Sequence, residues 1–230
     1  RTILPAVVAL IVMNVLRIAL EIAFAAATGE NLGDESMAEV TTPPGYSAQL
    51  AIISLVFVLL LVPLQATAEE VVFRGMFMQS LGAWLGGVRG AGGSARFLRG
   101  PWLPILVPAI LFGFSHIYDI WGFFQVTAMA VALGWLSWRT GGLESAITLH
   151  VLNNLVAFGF LALAVGGETG QTSDSGGLGA LLGSLAGFAL YMWWVDRDFQ
   201  RRDGRRTRVD LVEARVPFAP IAPTIPGPGA

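Results

Sequence analysis

Two adjacent carboxylates and an arginine, in Glu69-Glu70-Val71-Val72-Phe73-Arg74, follow directly on a long apolar run from Leu50 to Ala68. A charge at the centre of a membrane helix costs about 2.5 to 3.5 kcal/mol on insertion scales, so such residues face a protein interior or a wet cavity. On a helix, Glu70 and Arg74 stand four apart and share a face, where they can pair. Glu69 points about 100° away and stays available for other work. The chain has two histidines, His116 and His150, and both fall in apolar stretches. Phe112 lies four positions before His116; Asn154 lies four after His150 and shares its helix face. Unsatisfied polar groups are costly in hydrocarbon, so Glu69, Glu70, His116, His150 and Asn154 are expected to meet in one cavity.

A carboxylate beside a histidine can take a proton from water and make it a nucleophile. A second histidine and an amide can donate hydrogen bonds to a developing oxyanion. These parts fit hydrolysis of an amide bond. Other signatures of intramembrane proteolysis are missing: there is no His-Glu-x-x-His, no Gly-x-Gly-Asp and no Gly-x-Ser-Gly. Ser115 adjoins His116, but neighbours on a helix diverge by about 100°, which makes it a poor triad serine. The structural reading of each group stands beside the catalytic one. A lone histidine in a membrane helix commonly ties two helices together. Arg17 and Glu21, four apart in the first apolar run, read as a neutral pair within one helix.

The elements that must position these groups are membrane helices. Of 230 residues, 54% are hydrophobic and 13% charged, with mean hydropathy +0.66. That is too apolar for a soluble domain of this size and fits an all-α, polytopic bundle of about six to seven spans. There is no cysteine, which removes disulfides, thiolate ligands and a thiol nucleophile together. The expected spans are Ile3–Ala27, Leu50–Ala68 with helical pattern continuing to Leu85, Pro101–His116, Phe123–Trp138, Leu143–Val165 and Leu178–Val195. Leu50 to Leu85 is too long for one crossing, so its second part is expected either along the interface or as a separate span. Gly179, Gly183 and Gly187 repeat every four residues, a close-packing stripe for a neighbouring helix.

Acidic loops without a basic residue, Thr28–Ser47 and Gly166–Gly177, are expected outside the cytoplasm. Arg89, Arg96 and Arg99 in one loop, and Arg197 to Arg208 in the tail, are expected inside. The domain division is 1–195 for the bundle and 196–230 for an Arg-rich, then Pro-rich and disordered cytoplasmic tail that can touch anionic lipid. In a six-span arrangement His116 lies at the end of its helix far from the cytoplasm, while Glu69 lies near the cytoplasmic side. A kink, a tilt or a seventh span must then bring them together.

Taken together, Glu69-Glu70-x-x-x-Arg74, Phe112-x-x-x-His116 and His150-x-x-x-Asn154 resemble, in order and without departure, the motifs of the CPBP intramembrane proteases, also called the type II CAAX prenyl endopeptidase or ABI family. The resemblance covers about residues 50–160. It implies that Glu69 is the general base, with His116 helping to activate water. His150 and Asn154 would stabilise the oxyanion; Glu70 and Arg74 would hold the motif helix in place, with Phe112 in support. It implies no required cofactor, with zinc on Glu69, His116 and His150 as the alternative. The partners expected are membrane lipid, a membrane-embedded peptide or protein substrate and further membrane-protein chains, with no nucleic acid. The place expected is the cell inner membrane. Competing readings are a non-proteolytic scaffold of the same family, a small transporter or proton relay, and a pigment-binding subunit.

Overall fold

The computed structural model describes residues 1–28, 46–90, 92–165 and 175–203. Among these there is no strand. The helices are α1 (Ile3–Thr28), α2 (Ala48–Gly86), α3 (Gly93–Leu98), α4 (Trp102–Phe114), α5 (Ile120–Thr140), α6 (Glu144–Ala162) and α7 (Leu178–Asp203). Most of the two acidic loops and the tail beyond Asp203 lie outside the described residues, as do the expectations made for them.

Among the described residues, five helices are long and apolar enough to cross a membrane: α1, α2, α5, α6 and α7. The 39-residue α2 is one unbroken helix, so the expectation of a separate crossing after Arg74 is not met. The hydroxyl of Ser47 caps it, accepting from the Leu50 N–H at 3.2 Å. It runs through Pro63, and from Val71 to Phe77 it widens into a π-helical turn. At about 1.5 Å per residue α2 is roughly 58 Å long, against a hydrocarbon core of about 30 Å.

α4 has only 13 residues, about 20 Å. It ends at Phe114, so His116 is not in a span as expected but in the link between α4 and α5. α4 lies antiparallel to the second half of α2. A Cβ on Gly82 would meet Pro104 at 3.6 Å, and further along the Phe73 and Phe112 rings meet edge-on with centroids 5.0 Å apart. A short helix starting near Gly82 therefore ends level with Glu69. This pairing, with no seventh span, removes the depth problem.

The glycine stripe of α7 packs on α1. A Cβ on Gly183 would stand 2.7 Å from the Arg17 backbone nitrogen, and one on Gly187 would stand 2.6 Å from Met13 Cβ. Only glycine lets the two backbones approach this closely. α7 also continues to Asp203, past the expected end at Val195. α5 runs through the centre. Asp119 caps its start by accepting from the Gly122 N–H at 2.8 Å, and Gly141 ends it in the left-handed region at φ 71°. Leu133 and Leu136 of α5 sit in the core with Leu149 of α6 and Tyr191 of α7. The Tyr191 hydroxyl donates to the Ser145 carbonyl at 2.8 Å. α6 buries only Ser145, Ala146, Leu149 and His150, all in its first half. Its second half therefore leaves space between itself, α1 and α5.

Candidate active site

Val62, Ala66, Glu70, Arg74 and Met78 recur every fourth residue along α2, and all are buried. Four-residue spacing makes them one stripe on the helix. Glu70 and Arg74 are thus part of the packed face, and Arg74 Nη1 donates to Glu70 Oε1 at 2.8 Å. Arg74 Nη2 donates to the Ala130 carbonyl at 3.2 Å, and the guanidinium lies over the Phe112 ring at 4.8 Å. The pairing expected from spacing is present, and Arg74 also ties α2 to α5.

Glu70 has a second partner that spacing alone could not reveal. His150 Nδ1 lies 2.7 Å from the same Oε1. A carboxylate paired with arginine only accepts, so Nδ1 carries the proton. The other ring nitrogen, Nε2, then faces Glu69 Oε2 at 3.5 Å. Glu69 is held from one turn back by Gln65, whose Nε2 donates to Glu69 Oε1 at 2.7 Å. Glu69 Oε2 and Glu70 Oε2 are buried with no hydrogen-bond donor among the described residues. Glu70 therefore holds the imidazole by a short bond, and a free oxygen of Glu69 stands 3.5 Å from its other nitrogen.

His116 has its Nδ1 2.7 Å from the Phe112 carbonyl. A carbonyl also only accepts, which leaves Nε2 of His116 as the lone-pair nitrogen. The Phe112 ring stands between the two histidines, 4.7 Å from His116 and 5.7 Å from His150 between centroids. Tyr118 stacks on His116 at 5.9 Å.

A cavity of about 1170 Å³ opens beside this cluster, with Gln65, His116, His150, Asn153 and Asn154 on its wall. Asn154 Oδ1 accepts from Asn153 Nδ2 at 3.4 Å. The structure thus brings His116, His150 and Asn154 to one cavity, as expected. Glu69 is not on the lining; it stands behind His150 and Gln65, which are. Glu70 and Arg74 lie deeper, in the packed face. Among the described residues no group of three His, Asp or Glu side chains is placed to hold a metal ion.

Gln65 was missed, although its four-residue spacing from Glu69 was there to be read. The π-turn includes Gly75, where a Cβ would be in ordinary contact with Leu143 Cδ1 at 3.4 Å. Turns of this kind often occur at functional sites.

Residues 50–156 match the Rce1-like family, described as type II CAAX prenyl endopeptidase Rce1-like. The matched segment holds every motif residue and leaves out α1 and α7. No curated protein and no solved structure matches the chain.

Proposed function

The segment from 50 to 156 belongs to the Rce1-like type II CAAX prenyl endopeptidase family, and on that premise we propose that this multi-pass membrane protein is an intramembrane endopeptidase of the cell inner membrane. One observation carries the proposal. His150 is fixed by Glu70 so that its second nitrogen meets the unpartnered oxygen of Glu69, at the wall of a cavity shared with His116 and Asn154.

The chemistry follows from these positions. A water molecule between Glu69 and the lone pair of His116 gives up a proton as its oxygen bonds to the scissile carbonyl carbon. The proton taken by Glu69 can pass to His150 Nε2. His150 and the Asn154 amide then donate to the oxyanion, and the proton goes on to the leaving amine as the carbon–nitrogen bond breaks. Glu70 and Arg74 hold His150 in orientation and touch no reacting atom. Glu69 is activated without a metal. The substrate is a membrane-embedded peptide or protein, reached from membrane lipid, and other membrane chains can deliver it.

Glu69→Gln keeps the shape and the Gln65 contact but cannot take a proton. Membrane peptides from cells making wild-type protein and cells making Glu69→Gln should differ by at least one cleaved species. Asn154→Ala should slow that cleavage by about 100- to 1,000-fold, the usual loss for one oxyanion donor. If no peptide differs, and Glu69→Gln also restores whatever a knockout loses, proteolysis is ruled out. A scaffold that keeps the motifs for packing then takes its place.

A further inference from the structure

A second wall of the same cavity is made by α1, which lies outside the family segment and carries none of the motif residues. Asn14, Arg17 and Glu21 of α1 line it. Arg17 Nε donates to Glu21 Oε1 at 3.2 Å, and the two side chains remain 45% and 36% exposed. Spacing alone read this pair as a neutral fixture of one helix. Its place on a cavity wall gives it more to do.

The backbone that carries the pair is rigid. Gly183 and Gly179 of α7 press on it, so closely that a Cβ would stand 2.7 Å from the Arg17 nitrogen and 2.9 Å from the Glu21 nitrogen. Before α7, the chain at Gly176 runs past Glu21, and a Cβ there would be 3.1 Å from Glu21 Oε1. Asn14 Nδ2 gives one N–H to the Leu10 carbonyl at 2.8 Å, which leaves Oδ1 free to accept and one N–H to donate. Along α1 the order of offered groups is acceptor or donor at Asn14, donor at the Arg17 guanidinium and acceptor at Glu21.

From Asn14 to Glu21 the helix rises about 10.5 Å. An extended chain covers about 3.3 Å per residue, so the row matches about three residues of a strand. A strand taken out of water must satisfy every N–H and C=O it carries. We infer that α1 is a main-chain binding wall. It takes an extended peptide by its backbone amides, whatever its side chains, and lays it beside Glu69 and His150. The inference rests on the endopeptidase proposal for its purpose, but it is tested by binding alone.

The probe is a fluorescent Ala/Leu decapeptide, acetylated at one end and amidated at the other so that it has no terminal charge. A second peptide is the same but N-methylated at alternate residues. Binding to the full chain in detergent is read by anisotropy. Wild-type and Glu69→Gln proteins should bind the plain peptide equally, and N-methylation should weaken binding about tenfold, the worth of one or two hydrogen bonds. Arg17→Met with Glu21→Met should weaken binding by a similar factor and should no longer distinguish the two peptides. Arg17→Gln with Glu21→Gln keeps donors and acceptors without charge and should restore most of the affinity. Equal binding of both peptides to wild type would overturn the inference, as would undiminished binding by the double Met variant. Binding only by a peptide with a free carboxylate would also overturn it and make Arg17 a terminal-anion site. Loss of the endopeptidase proposal would show as absent cleavage with this binding pattern intact.

Discussion

Glu69 and Glu70 differ by one position and are set apart by the geometry of their helix. Glu70 falls on the stripe that α2 packs against α5 and α6, and it is fully buried between Arg74 and His150. Glu69 falls off that stripe and keeps 27% of its side chain exposed. Removing one member of a buried ion pair strands the other, at a cost of about 3 to 5 kcal/mol. Arg74→Ala should therefore lower the melting temperature in detergent sharply, and Glu70→Gln should do the same more mildly because the amide oxygen can still accept. Glu69→Gln should melt like wild type. Equal melting of all four proteins would mean that the pair does not support the fold. The division between the two carboxylates was legible, because four-residue spacing is local. The grip of Glu70 on His150 was not. It joins residues 80 apart in sequence, and only the packing of α6 on α2 brings them together.

Close backbone packing decides where the elements sit, and the glycine stripe made that partly readable. The repeat at Gly179, Gly183 and Gly187 called for a partner helix; that the partner is α1 follows from contacts, not from spacing. Gly183→Leu would force side-chain atoms into the α1 backbone at Arg17 and Met13, where neither helix can yield locally. Overpacking commonly costs about 1 to 3 kcal/mol, and a backbone clash puts this variant at the upper end. Circular dichroism melts should show it; an unchanged melt would mean the helices part without cost. A second element-level contact lies where α5 begins. The Ser175 hydroxyl first, and the Gly122 N–H second, hold the Asp119 carboxyl below the ordinary carboxylate range. A lowered folded value makes the contribution full above the unfolded value of about 3.9 and lost as pH falls through the folded one. The melting difference between wild type and Asp119→Asn should stay level from neutral pH down to about pH 4 and shrink below it. A difference that does not change on acidification would remove Asp119 from the capping role. The capping itself was hidden from sequence, where Asp119 fell between the expected spans Pro101–His116 and Phe123–Trp138.

At the scale of the molecule, the described basic residues other than Arg17 and Arg74, which pair within their helices, gather towards one end. Arg89, Arg96 and Arg99 lie beyond α2, Arg139 ends α5, and Arg197, Arg201 and Arg202 ride on the last turns of α7. Arg139 pairs with Asp196, and Tyr191 reaches Ser145, so the ends of α5 and α7 and the start of α6 share this level. At the other end, near Thr28, Asp119 and Ser175, the described basic side chain is Arg17, which is paired with Glu21 and would stand 3.9 Å from a Cβ on Gly176. Charge bias could be read from sequence as loop against loop; that the ends of α5 and α7 meet through Arg139 and Asp196 needed the fold. By the positive-inside rule the arginine end is expected to face the cytoplasm. The cavity extends the other way, to Phe24, Tyr118, Gly122 and Ser175. A chain with no cysteine permits a clean test, because any added thiol is the single one. In intact cells, Ser175→Cys should react with a membrane-impermeant maleimide, and Gly93→Cys should react only after the membrane is opened. A peptide long enough to fill the cavity should slow labelling at Ser175→Cys and leave Gly93→Cys unchanged. Labelling of Gly93→Cys in intact cells would invert the orientation, and the substrate would then have to approach the Glu69 and His150 cluster from the cytoplasm.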